Sequence, residues 1–82
     1  MNLRPGDVVN WFRVIVDLTT IGGVTLRQIA HAMQIPKATI INWKNGAEPR
    51  HSDGERLIAF WCGHLGRERN ELPVLSRYAP FV

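Results

Sequence analysis

The sequence predicts a small all-α fold: a four- to five-helix bundle that contains a helix-turn-helix and ends in a partly extended C-terminal tail. Three observations carry this. Apolar residues recur at three- and four-residue spacing in successive short segments, which is the period of an amphipathic helix face. Thr25 followed by Gln28, and Ser52 followed by Glu55, are capping-box signatures that mark two helix starts. Gly22-Gly23, Pro36, Gly46, Pro49 and Gly66 then punctuate the chain between the periodic segments.

The first helix is expected from about Asp7 to Thr19, with Val8, Trp11, Phe12, Ile15 and Leu18 on its buried face and Asn10, Arg13 and Asp17 on the wet one. Asp7 is its expected N-cap, since a carboxylate there accepts from unpaired first-turn amides. The second helix starts at the Thr25–Gln28 box, with Val24 and Ile29 placed to form the matching hydrophobic staple. Its buried stripe is Leu26, Ile29, Ala30 and Met33. Pro36 ends it, because proline disfavours helical geometry in the residue before it, and equally opens the third helix. That helix runs to about Asn45, with Ile40 and Trp43 inward, Ile41 outward, and Gly46 closing it in a left-handed conformation. The fourth is expected from Ser52 to about Leu65, with Leu57, Ile58, Trp61 and Leu65 as its core stripe and Gly66 as its stop. Pro73 and Pro80 argue against a single helix from Arg67 to Val82. Domain organisation follows: one domain over 1–66, then a tail over 67–82 that packs on its own core or pairs with another subunit.

Eighty-two residues allow one small core and no second domain, and an apolar fraction of 45% is ordinary for a globular chain. No apolar run is long enough to span a membrane, and the first residues lack the pattern of a signal peptide, so a cytoplasmic protein is expected. Cys62 is the single cysteine. It forms no internal disulfide, and with His51 and His64 its spacing matches no standard zinc site, so no metal is assigned. His51, Ser52 and Asp53 are consecutive in sequence, unlike a catalytic triad whose members converge from separate segments. Neither a phosphate-binding glycine loop nor paired carboxylates appear, so no catalytic residue, cofactor or small-molecule ligand is expected.

The net charge of +3 only permits a polyanionic partner; its distribution says more. No acidic residue lies between Leu18 and Ala47, where Arg27, Lys37 and Lys44 all fall. That gap coincides with the two helices joined by a tight turn, in which small Ala30 lets the helices approach and Ile40 fills the angle between them.

Thr25-Leu26-Arg27-Gln28-Ile29-Ala30, then Ile40, then Trp43-Lys44-Asn45-Gly46 resemble the DNA-binding domain of lambda-type phage repressors and Cro proteins. The likeness covers Asp7 to about Leu65. It departs from the family where Gln34 replaces the usual turn glycine, and where Leu26 replaces a glutamine that contacts the DNA backbone. The resemblance implies a sequence-specific regulator of transcription, of the phage or prophage repressor kind, that binds double-stranded DNA with the helix 36–45 in the major groove. Matched to the family pattern, Lys37, Ala38, Ile41 and Asn42 face base edges, while Thr25, Arg27, Thr39, Lys44 and Asn45 contact the backbone. Lysine to guanine and asparagine to adenine are the pairings that groove chemistry favours. A two-fold homodimer on a palindromic operator is implied, because one such module buries little DNA surface. Leu72, Val74, Leu75, Tyr78 and Phe81 are the candidate dimer residues. The alternative is a phage or toxin–antitoxin accessory adaptor that uses the same fold to bind protein.

Overall fold

The computed structural model describes residues 7–76. Their elements are strand β1 (Asp7–Val9), helices α1 (Trp11–Thr20), α2 (Leu26–Met33), α3 (Lys37–Lys44) and α4 (His51–Leu65), a 3-10 turn (Arg69–Glu71) and strand β2 (Val74–Ser76). The four α-helices enclose one core. β1 and β2 form an antiparallel ribbon in the register Asp7 with Ser76, Val8 with Leu75 and Val9 with Val74.

The ribbon corrects the expected start of α1. Val8 and Val9 are β-branched and suit a strand once a partner is available, but that partner lies near the other end of the chain. The N-cap is therefore Asn10 and not Asp7: the Asn10 side chain accepts from the Arg13 amide at 3.1 Å, and its own amide donates to the Pro73 carbonyl at 2.9 Å. Moving the helix start turns its inner face to Trp11, Val14, Ile15 and Leu18. Phe12, expected inside, is 51% exposed, while Asp17, expected outside, is only 4% exposed. A buried carboxylate needs partners. Asp17 has two arginines, with Arg13 Nε at 3.1 Å and Arg67 Nη1 at 3.9 Å. Arg67 also lies over the Trp61 ring, 5.7 Å from its centroid. Through Asp17, α1 is thus tied to the segment that follows α4.

Helix α2 starts where its capping box indicates. The Thr25 amide donates to Gln28 Oε1 at 2.8 Å and the Gln28 amide to Thr25 Oγ1 at 3.0 Å. Val24 and Ile29 are both buried, as the staple requires. At the other end Gln34 adopts the left-handed conformation itself, with φ 56° and ψ 44°. The Ile35 amide returns to the Ala30 carbonyl at 3.0 Å and the Gln34 amide to His31 at 3.1 Å, which is the Schellman pattern. A glutamine thus makes the turn that glycine usually makes.

Helix α4 does not use the Ser52–Glu55 box. It starts one residue earlier, after Arg50, with no side-chain cap, and the Gly54 amide bonds the Arg50 carbonyl at 2.7 Å. Ser52 is therefore already inside the helix. Glu55 is engaged elsewhere, by Arg69 of the 3-10 turn at 2.9 Å and 3.0 Å. That hydrogen bond and charge hold the Glu55 carboxyl below its ordinary value of 4.5. A depressed folded value adds stability above the unfolded one and loses it as pH falls through the folded one. Both side chains are partly exposed, so the contribution is small. Glu55→Gln is expected to lower the melting temperature slightly at neutral pH and to converge with the wild type in acid, so that the limb below about pH 4.5 is flatter.

Residues 67–76 are integrated with the bundle. Gly66 stops α4 at φ 64°, Leu72 is 6% exposed within the common core, and β2 closes on β1. No helix among the described residues is long and apolar enough to cross a membrane.

Candidate nucleic-acid interface

Helix α3 is packed on one side only. Ile40 and Trp43 are 0% and 5% exposed and belong, with the buried Ala30 and Met33, to the core that α3 shares with α2 and α1. Positions 37, 38, 41 and 42 fall on the opposite stripe of a 3.6-residue helix. All four are exposed, with Ile41 at 36%. Lys37, Ala38, Ile41 and Asn42 thus form one outward face, two polar and two apolar, of the kind that meets both hydrogen-bonding edges and methyl groups.

The cations on and beside this face have no carboxylate partner among the described residues, a property they share with Arg50 on the surface away from it. Arg13, Arg56, Arg67 and Arg69 each have a carboxylate partner. Arg27, Lys37, Lys44 and Arg50 join no ion pair among the described residues. Helix α3 also begins without a side-chain cap, has no acid in its first turn, and carries Lys37 there. A lysine in that turn opposes the helix dipole, and the free amides remain available. The arrangement costs stability in the isolated protein and suits an external anion.

The remaining candidates are placed as follows. Arg27 is exposed in the first turn of α2, and Thr25 is exposed at its cap, where its hydroxyl already accepts from Gln28. Thr39 and Lys44 are half-buried, and Asn45 is exposed at the end of α3. Among the dimer candidates, Leu72 is used by the chain's own core, which removes it as a contact. Val74 and Leu75 are 44% and 53% exposed. Tyr78 and Phe81 lie outside the described residues. Phe12 joins Leu75 and Val8 along a shallow groove, an apolar surface created by the shifted start of α1.

A second groove, of 270 Å³, has Trp11, Ile58 and Gly54 among its walls and Glu48, Arg50 and His51 among its polar residues; no residue of α3 lines it. Gly54 lies where α4 approaches α1 closely: a Cβ there would sit 3.1 Å from the Trp11 ring, which would have to shift by a few tenths of an ångström.

One residue bearing on this face carries no local signature. Arg56 Nη2 of α4 donates to the Met33 carbonyl at 2.7 Å, at the end of α2 and directly before Gln34. An isolated arginine on a helix face reads as solvated, and its acceptor is a backbone group that no spacing marks.

Comparison with protein-family models, with known proteins and with solved structures finds no match for the chain.

Proposed function

We propose that the protein is a cytoplasmic, sequence-specific double-stranded DNA-binding regulator of the Cro-like repressor kind, with α3 entering the major groove. The carrying observation is the outward face of α3, which has no acidic residue, bears a Lys37 with no ion-pair partner among the described residues and starts from a helix end without a side-chain cap. In this reading Lys37 donates to guanine O6 and N7, Asn42 pairs with adenine, and Ala38 and Ile41 meet thymine methyls. Arg27, Lys44 and the amides near Thr25 hold phosphates and set the register. Thr39 and Asn45 flank the same groove.

A homodimer on a palindromic site fits the size of one such module. Its proposed contact is the ribbon strand, Leu75 with Phe12 beside it on one face and Val74 on the other, because these are large apolar side chains left exposed.

The test is selection of duplex DNA from a random pool, followed by affinity measurements across a salt series. An enriched two-fold motif, with log affinity falling linearly against log salt, is the expected result. No enrichment and no salt dependence would remove the DNA reading. The exposed ribbon would then favour an adaptor that binds protein through Phe12, Val74 and Leu75.

A further inference from the structure

We infer that Arg56 is a positioning residue for α3, acting through the Gln34 turn. Helix α2 ends at Met33, whose carbonyl is one of the acceptors that a helix terminus leaves without an internal partner. Arg56 supplies the missing donor from a different helix. Its Nη2 lies 2.7 Å from that oxygen, the short distance of a charge-assisted bond. Asp53, one turn earlier on α4, lies 3.7 Å from Nη1 and steadies the other arm of the guanidinium. Among the described residues this is the side-chain hydrogen bond that joins one α-helix to another.

The location of that bond gives it a role beyond general stability. The residue that follows Met33 is Gln34, the one non-glycine residue with positive φ among those described. An L-residue in this region is disfavoured because its Cβ crowds the following carbonyl oxygen, and such conformations persist where the surroundings over-determine them. The Gln34 and Ile35 amide bonds would form equally well with glycine in the turn. The Arg56 bond is the added constraint, applied from outside at the peptide unit that leads into the strained residue. Only Gln34, Ile35 and Pro36 separate α2 from α3, so a change of backbone at Gln34 passes directly to Lys37. The unusual turn residue and the arginine on α4 are thus one device: the clamp holds a conformation that glycine would adopt unaided.

The device is testable in the full chain by coupling Arg56→Ala with Gln34→Gly. One arm is independent of DNA. Hydrogen exchange of the Gln34 and Ile35 amides is expected to quicken about tenfold in Arg56→Ala, the equivalent of losing one charge-assisted bond, with α4 amides unchanged. Adding Gln34→Gly is expected to restore protection. The second arm rests on the DNA reading above. Affinity for the selected duplex is expected to fall about tenfold with the salt slope unchanged, and to recover in the double variant. Arg56→Lys, which keeps the charge and loses the fork, is expected to fall between the wild type and Arg56→Ala and serves if the alanine variant does not fold.

Unchanged exchange in the Arg56 variants would overturn the inference, as would failure of Gln34→Gly to restore it. A salt slope reduced by about one would make Arg56 a direct phosphate contact instead. If the wild type binds no duplex, the DNA reading fails while the exchange arm still decides the clamp.

Discussion

Ile40→Ala is expected to lower the unfolding free energy by about 2–5 kcal/mol. The side chain is fully buried in the core that α3 shares with α1 and α2, so its truncation removes apolar contacts and leaves a cavity there. A chain of this length has roughly 4–12 kcal/mol in total, so the change removes a large share of it. Urea denaturation followed by tryptophan fluorescence measures the loss. A cost below about 1 kcal/mol would mean that α3 does not pack as described. The adjacent Ile41 provides the contrast: Ile41→Ala is expected to stay within about 0.5 kcal/mol of the wild type, because its side chain faces outward. Two isoleucines side by side therefore separate what the helix does for the fold from what its outer face does for a partner.

Lys37→Ala combined with Asn42→Ala is expected to weaken binding to the selected duplex a hundredfold or more, at about 1–3 kcal/mol for each base contact. Both residues are exposed, and neither side chain takes part in a hydrogen bond or ion pair among those described, so melting temperature is expected to be nearly unchanged. Binding titrations against the selected site and a scrambled duplex separate the effects. The loss is expected on the selected site and to be much smaller on the scrambled one, where phosphate contacts dominate. Equal affinity of variant and wild type for the selected site would remove α3 as the reading element.

The parts of the fold legible in the sequence are those fixed by neighbours within a turn or two. The Thr25–Gln28 box, the inward Ile40 and Trp43, the outward Ile41 and the stop at Gly66 all depend on short-range spacing. The start of α1 depends on a strand partner near the opposite end of the chain, and so capping chemistry alone misplaces Asp7 and periodicity alone misplaces Phe12 and Asp17. The Ser52–Glu55 box illustrates a different failure. The pattern is present, but Arg69 competes for Glu55 and the helix starts before Ser52. For the candidate interface, residue types and spacing define the face of α3. The Arg56 bond to Met33 was not legible, since its acceptor is a carbonyl and carries no residue-type signal. The turn at Gln34 sits between these cases: the departure from glycine is visible in sequence, and its resolution as a left-handed glutamine needs coordinates.

The β1–β2 ribbon has a consequence for how the molecule assembles. Helices α2 and α3 contact each other across three intervening residues, so this pair has low contact order and can form early. The ribbon joins the two ends of the described chain, and the unfavourable entropy of closing so long a loop delays it. It is therefore expected to be among the last contacts to form and the first to open. Weakening Val9 or Val74 acts on the lifetime of the native state and leaves the speed of its formation nearly untouched. In stopped-flow kinetics the ribbon variants are therefore expected to unfold faster than the wild type while refolding at nearly the same rate.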